Sequence, residues 1–337
     1  MKALFRKDFQ NLNKYQSSIE EGFQDGMVIL DANENPFPKA QNINRYPKLE
    51  RNELMSLLSN QLGVNSDQLF IGNGSDEVLD LICRLFIDPK EDEVLLFEPS
   101  FSMFETLVKL NFGKPVKIQL DESFDIKVEE IKSELSRAKL IFICSPNNPT
   151  GNQLSKARLQ SILSLAKGIV VVDEAYVEFA DYSVLDWLKD YPNLIVTRTF
   201  SKAKGAAGIR IGYGIANPEI IAALDKISIP YTSSILNLNA AIEVLKNEEI
   251  QDEIIMIKNE RLRLEQALAT KKQAVKVYPS QANFLLVKFE NANETYVYLK
   301  SNNVLVRNRS QLQGCENCLR LTIGTPEENQ KLLNLLQ

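Results

Sequence analysis

Four short runs, Val94–Phe97, Leu140–Cys144, Ile169–Val172 and Leu194–Thr197, are apolar almost throughout. Strands of this kind sit in a parallel sheet covered on both faces, whereas a half-exposed strand alternates apolar with polar residues. Stretches with helical periodicity flank or separate these runs, at Glu50–Leu62, Asp76–Phe86, Phe101–Leu110, Val128–Arg137 and Lys156–Leu165, and a fifth strand is read at Arg210–Ile215. The alternation predicts an α/β fold built on a mostly parallel sheet.

Beyond Ile229-Pro230 the pattern changes. Leu236–Lys246 and Ile250–Thr270 read as long helices, Val275–Tyr278, Phe284–Phe289 and Leu319–Ile323 as strands, and Ala292–Ser301 as a further helix. A chain of 337 residues fits about two units of roughly 150 residues. The expected division is a large α/β unit over 41–228 and a smaller α+β unit over 229–337. Residues 1–40 are expected to pack with the smaller unit and the site.

The sequence contains no histidine. Ser-His-Asp and Cys-His catalysis, histidine-ligated metals and histidine acid–base chemistry are thereby excluded. Proton transfer near neutral pH must come from a perturbed lysine, carboxylate, tyrosine or cysteine, or from a cofactor. The four cysteines include one C-x-x-C, Cys315 and Cys318. Half a zinc site needs a second pair, which the sequence lacks, so no metal is expected. A net charge of −5 without a long basic block gives no support to nucleic-acid binding. No apolar run has signal-peptide or membrane-spanning length, so a cytoplasmic protein without membrane attachment is expected.

Several segments at strand ends carry chemistry. Thr199-Phe200-Ser201-Lys202-Ala203-Lys204-Gly205 follows a strand, and a lysine held there among small residues can have its pKa lowered and become nucleophilic. Taken alone, two lysines on a solvated loop explain it better. Asp173 follows Val170-Val171-Val172 at a position where open α/β sheets bind ligands; it could hold a pyridinium nitrogen or merely cap a helix. Ser145-Pro146-Asn147-Asn148-Pro149-Thr150-Gly151 is a rigid turn able to aim an amide inward. Gly72-Asn73-Gly74-Ser75-Asp76-Glu77 precedes a helix and offers an anion seat, though it lacks the third glycine of a dinucleotide fingerprint. Arg210 and Arg320 are read within apolar strands, where a guanidinium requires an anion or an internal ion pair.

The order SPNNPTG, VVDEAY, TFSKAKGAAGIRIGYG and CLRLTIGT resembles the fold-type-I aminotransferases, which use pyridoxal 5′-phosphate (PLP), across nearly the whole chain. The resemblance implies that Lys202 forms the Schiff base and shuttles the proton, that Asp173 holds the pyridinium nitrogen, and that Asn148 and Tyr176 bond the ring oxygen. Ser75, Asp76, Ser201 and Arg210 would hold the cofactor phosphate, Phe101 would stack on the ring, and Arg320 would take a carboxylate. Within that group the chain is similar to the histidinol-phosphate aminotransferase family. Leu30-Asp31-Ala32-Asn33-Glu34-Asn35-Pro36 and Arg45-Tyr46-Pro47 match its N-terminal signatures, and Tyr15-Gln16-Ser17-Ser18 departs from its usual Pro-Tyr-x-Ser-Ala by Lys14 and Ser18.

That resemblance implies a homodimer in which Tyr46 reaches the partner subunit's cofactor phosphate. It also implies substrate contacts at Tyr15, Asn33, Arg307 and Arg320, with Arg309 competing for the place of Arg307. The implied reaction is reversible transfer between L-histidinol phosphate with 2-oxoglutarate and imidazole-acetol phosphate with L-glutamate. Arg320 would then serve glutamate's carboxylate in one half-reaction and a phosphate in the other. Aromatic-amino-acid aminotransferases and threonine-phosphate decarboxylases share most of these motifs. A penicillin-recognising hydrolase would use Ser201-Lys202-Ala203-Lys204 as S-x-x-K, but the S-D-N and K-T-G triplets it needs do not occur.

Overall fold

A computed structural model describes residues 2–15, 26–40, 43–47 and 49–336. The larger sheet contains β1 (Leu69–Gly72), β2 (Glu93–Glu98), β3 (Lys114–Gln119), β4 (Leu140–Cys144), β5 (Ile169–Asp173), β6 (Leu194–Thr199) and β7 (Gly212–Ala216), in the order β1-β7-β6-β5-β4-β2-β3. Pairings among β3, β2, β4, β5 and β6 are parallel, while β7 runs antiparallel to both neighbours. The helices are α1 (Leu49–Leu62), α2 (Ser75–Phe86), α3 (Met103–Leu110), α4 (Lys132–Arg137), α5 (Lys156–Leu165), α6 (Pro218–Ile227), α7 (Ile235–Lys246), α8 (Ile250–Leu268), α9 (Ala292–Ser301) and α10 (Pro326–Leu335).

Strand alternation divides the core in two. Leu95, Ile141, Ile143, Val170, Val172 and Val196 point to one face, where α1, α5 and α7 cover them with Leu58, Leu159 and Leu238. Val94, Leu96, Phe142, Val171 and Ile195 point to the other, against Ile82, Phe104 and Leu224 of α2, α3 and α6. This double burial explains the uninterrupted apolar runs. Helix α7, read from the sequence as part of the smaller unit, buries Leu238, Ala241 and Ile242 in the core of the large sheet.

The second sheet, β8 (Ala274–Val277), β9 (Phe284–Phe289), β10 (Arg307–Asn308) and β11 (Cys318–Thr322), is antiparallel in the order β10-β11-β9-β8. Leu285, Val287, Leu319 and Leu321 form one face, packed on α8, α9 and α10. With period 2, Phe284, Leu286, Cys318 and Arg320 take the opposite face.

The N-terminal residues depart from expectation. Phe5 packs on Phe86 at 5.6 Å between ring centroids, and the Arg6 N–H donates to the Leu85 carbonyl at 2.8 Å. The described start of the chain is thus held on the end of α2, away from the second sheet. Its two phenylalanines find apolar cover there.

Candidate active site

In the large sheet the carboxyl ends of β4, β5 and β6 lie side by side, and the site grows from them. In parallel register Asp173, the last residue of β5, stands opposite Thr197 of β6, whose hydroxyl donates to the Asp173 carboxylate at 3.0 Å. Asp173 is only 3% exposed. Burial pushes its carboxyl up to about 7, against the bond from Thr197, with Asp76 adding like-charge repulsion. A carboxylate so placed favours a cationic partner.

After β6 the chain turns over Thr199, whose hydroxyl accepts from the Ser201 N–H at 3.1 Å. Lys202 follows, its Nζ 5.6 Å from the centroid of the Tyr176 ring. The residue as a whole is exposed, at the mouth of the cavity it helps to line. Burial and then the neighbouring Arg320 lower its pKa, while Asp173 and Asp76 oppose them. Lys204 goes elsewhere, lying over Phe200 at 5.6 Å.

The anion seat has two walls. At one, Gly74 with φ of +80° turns the chain into α2, leaving the first N–H groups of that helix facing outward. At the other is Arg210, which lies before β7 and not within it, in the left-handed region with φ of 54°. Its guanidinium donates to the Ser201 hydroxyl and to Asp76, each at 3.4 Å. The φ of +80° at Gly74 is one that side chains rarely adopt, which favours glycine there, and an added Cβ would also displace Arg210 Nη2, 2.7 Å away.

Asp173, Tyr176 and Lys202 therefore share one cavity of about 190 Å³ with Ser75, Asp76, Phe101, Asn148, Ser201 and Arg210. Cys144, Ala175, Thr199 and Ala207 complete the lining. Strand register sets the Thr197 hydroxyl beside Asp173, which sequence order alone does not show, while the turn after β6 sets that of Thr199 beside Ser201.

The second sheet roofs the cavity. Arg320 donates to the Asn148 side-chain oxygen at 2.5 Å, and its guanidinium lies 5.2 Å from the Phe284 ring centroid. Phe284 in turn meets the Tyr176 ring edge-on at 5.2 Å. The fields of Arg320 and Arg309 both reach the Tyr176 hydroxyl, although burial holds its pKa well above the usual value.

Four expected contacts lie outside this cavity. Tyr15 lines a separate cavity of about 270 Å³ with Arg51 and Tyr231, and Gln16, Ser17 and Ser18 fall outside the described residues. Asn33 is exposed, with a φ of 56° that asparagine tolerates. Tyr46, assigned to a partner's site, stacks on Tyr231 at 4.5 Å within its own chain. Arg307 is exposed on β10, whereas Arg309 is the more covered of the two.

A lysine beside a buried carboxylate, an anion seat at a helix start and an inward arginine, all at strand ends of a mostly parallel sheet, define a PLP-dependent transferase of fold type I. The profile of "Aminotransferase class I and II" matches residues 7–336. The chain belongs to that family. It is 44% identical to the histidinol-phosphate aminotransferase of Parabacteroides distasonis, over 100% of this chain and 98% of the relative. The crystal structure of the histidinol-phosphate aminotransferase from Clostridium acetobutylicum superposes with a TM-score of 0.81 at 29% identity, covering 88% of this chain and 90% of that one. That of Sinorhizobium meliloti, in complex with pyridoxal 5′-phosphate, gives 0.78 at 27% identity, covering 86% and 81%.

Proposed function

We propose that this chain transfers the amino group of L-histidinol phosphate to 2-oxoglutarate, with PLP as its cofactor, as a step of histidine biosynthesis. The observation that carries the reading is the union, in one cavity, of Lys202, buried Asp173 and Arg210, with Arg320 of the second sheet bonded to Asn148 of the lining, where it suits an anionic substrate. The similarity to histidinol-phosphate aminotransferases along the full chain supports the choice of substrate.

The cavity suits the cofactor on its own chemistry. Among the described residues no cationic side chain bonds the buried Asp173, and a pyridinium N–H would supply such a partner. Ser75, Asp76, Ser201 and Arg210 line the end of the cavity where the phosphate would sit, and Phe101 lies beside the ring position. Bound PLP supplies an electron sink for the pair left when the substrate α-proton departs.

The chain's own groups do the rest. Lys202, whose pKa burial and then Arg320 lower, would take the proton from the substrate α-carbon and return it to the cofactor side of the reacting system. Asp173 would hold the ring nitrogen protonated. Tyr176 and Asn148, both in the cavity lining, would donate to the ring oxygen and orient the ring for Lys202. Arg320 orients glutamate by its carboxylate and the other substrate by its phosphate.

The working unit is a homodimer in the cytoplasm, in which Tyr15, Asn33, Tyr46 and Arg307, all outside this chain's own cavity, would serve a site completed by the partner subunit. The chain divides into an N-terminal segment over 1–40, a large unit over 41–228 to which α7 also belongs, and a small unit made by the rest of 229–337. No helix among the described residues is long and apolar enough to cross a membrane.

The test is the visible absorption of PLP-loaded protein before and after L-histidinol phosphate is added without an oxo acid. The cofactor band should fall, then return with 2-oxoglutarate. A band that L-histidinol phosphate leaves unmoved overturns the substrate assignment, and aromatic amino donors would then be tried.

A further inference from the structure

Two donors meet the Asp173 carboxylate, and they come from different elements. The Ala175 N–H belongs to the turn that follows β5. The Thr197 hydroxyl, 3.0 Å away, belongs to the neighbouring strand, where parallel register sets Thr197 beside Asp173. Thr197 is fully buried and lies outside the cavity lining, whereas Asp173 is part of that lining. The hydroxyl therefore meets the carboxylate from within the sheet, and a ring N–H in the cavity would reach it from the other side. Leu194, Ile195 and Val196, the preceding residues of β6, are apolar and fully buried. Valine has the branched shape of threonine, so packing alone does not call for a hydroxyl here. A buried hydroxyl is costly unless it is hydrogen-bonded, and the bond this one donates goes to Asp173.

Charged and titratable groups face the carboxylate from each neighbouring element. Asp76 at the start of α2 repels it, and Lys202 after β6 attracts it. Cys144 at the end of β4 and Tyr176 beyond β5 feel its field, but burial pushes both of their pKa values up, so they are neutral near pH 7. Arg320 and Arg210 act on Lys202 and so stand one step removed. Burial favours the neutral acid at Asp173. Of the groups that oppose it, the Thr197 hydroxyl acts most strongly, ahead of the Ala175 N–H and Lys202.

We infer that Thr197 is a positioning residue for the reaction: its hydroxyl holds the Asp173 carboxylate ionised and in place, so that the carboxylate keeps the ring nitrogen of PLP protonated. Thr197 lines no part of the cavity and acts through Asp173 alone. Without the hydroxyl, the buried carboxylate competes better for the proton that the ring nitrogen must keep, and the electron sink weakens. The inference rests on the proposed reading of Asp173 as the partner of that nitrogen.

The test compares Thr197→Val, which keeps the shape and removes the hydroxyl, with Thr197→Ser, which keeps the hydroxyl and removes a methyl. Thermal melts of the cofactor-free proteins are followed from about pH 4 to about pH 10. A carboxyl whose folded pKa is raised lowers stability as pH climbs from its unfolded to its folded value. In the wild type that fall ends near pH 7, where Asp173 titrates when folded. In Thr197→Val it should continue about one to two pH units further, the scale of a lost hydrogen bond to a charged group. In Thr197→Ser it should end within about half a unit of wild type. In an Asp173→Asn background, Thr197→Val should move nothing. Loaded with PLP, Thr197→Val should slow the limiting rate of the L-glutamate half-reaction about 10- to 100-fold with KM within about twofold, and Thr197→Ser should slow it less. Coincident pH profiles of wild type and Thr197→Val overturn the inference. So does a greater loss of rate in Thr197→Ser than in Thr197→Val, the order that packing alone produces, and so does a shift that persists in Asp173→Asn. Should Thr197→Val fail to fold, Thr197→Ala against Thr197→Ser reads the same property, since both lose the methyl and only one loses the hydroxyl. Coincident profiles of those two overturn it equally. An Asp173→Asn variant that transaminates like wild type defeats the reading of Asp173 itself, an outcome separate from the melts, which contain no cofactor.

Discussion

Arg320 of the second sheet donates to Asn148 of the turn after β4 at 2.5 Å, so a single hydrogen bond joins the roof of the site to its wall. The Gln281 N–H, donating to the Gly151 carbonyl at 2.7 Å, makes a second link between the same two regions. The proposed mechanism has Arg320 orient both substrates through their anionic groups. Arg320→Ala should therefore lower kcat/KM of both half-reactions by about 100-fold, the scale of losing charged hydrogen bonds. Single-turnover spectra with each amino donor check this. A glutamate half-reaction that keeps its wild-type rate would sink the shared role.

The buried Asp173 gives a pH dependence with a definite sign. Its folded pKa is raised to about 7, whereas an unfolded carboxyl titrates near ~3.9. Between those values the folded cofactor-free protein binds a proton that the unfolded chain does not, so its stability falls as pH rises from about 4 to 7. Asp173→Asn removes that slope. Melts of both cofactor-free proteins across this window should converge near pH 4 and separate in favour of the variant near pH 7. The same variant should lose transamination by about 10³-fold, because an amide cannot hold the ring nitrogen protonated. Parallel melting curves would show that Asp173 is not the group responsible.

Lys202 and Lys204 are two residues apart in sequence but face different surroundings, and this separates their roles. Lys202 lines the cavity. Lys204 lies over Phe200, where burial lowers its pKa while Glu178 opposes the shift. Lys202→Ala should reduce transamination by about 10³-fold or more, the scale of a lost general acid–base group, and should abolish the visible band of the loaded wild type. Lys204→Met should keep that band and sustain multiple turnovers. The reverse pattern would transfer the nucleophile to Lys204.

Much of this was legible because each chemical residue sits at the end of an apolar run, and two-sided burial writes such runs into the sequence. Asp173 after Ile169–Val172 and Lys202 after Leu194–Thr199 are the clearest cases. The missed strands were short or lay at edges. Lys114–Gln119 is an edge strand in which polar residues and Pro115 are tolerated, and Leu69–Gly72 has only four residues. Arg210 was read as strand because Ile211 and Tyr213 follow it, yet the turn Ala207–Ile209 ends on it in the left-handed region. Contacts set by register or by folding back could not be read from order alone. Thr197 beside Asp173 is one, and Arg309 beside Arg320 another. The placement of Tyr15 away from the cavity is a third.

Gly212 supports the anion seat from behind, and its loss should be felt there. It begins β7 between Gly72 of β1 and Thr199 of β6, directly under the start of α2. A Cβ at this position would lie 2.1 Å from the Ser75 nitrogen and 2.5 Å from the Gly74 carbonyl carbon. Both are backbone atoms, so no rotamer change can relieve the clash, and α2 must shift as a body. Gly212→Ala should cost about 1–3 kcal/mol of stability or more, as overpacking does. The larger effect should appear in PLP retention, since the displaced Ser75 N–H and Arg210 fork no longer converge on one point. Fluorescence titration with PLP, alongside melts with and without it, reads both quantities. Gly208→Ala is the control, because nothing lies within 4 Å of its added Cβ. If Gly212→Ala binds PLP as tightly as Gly208→Ala does, the seat is not held by the packing of β7 against α2.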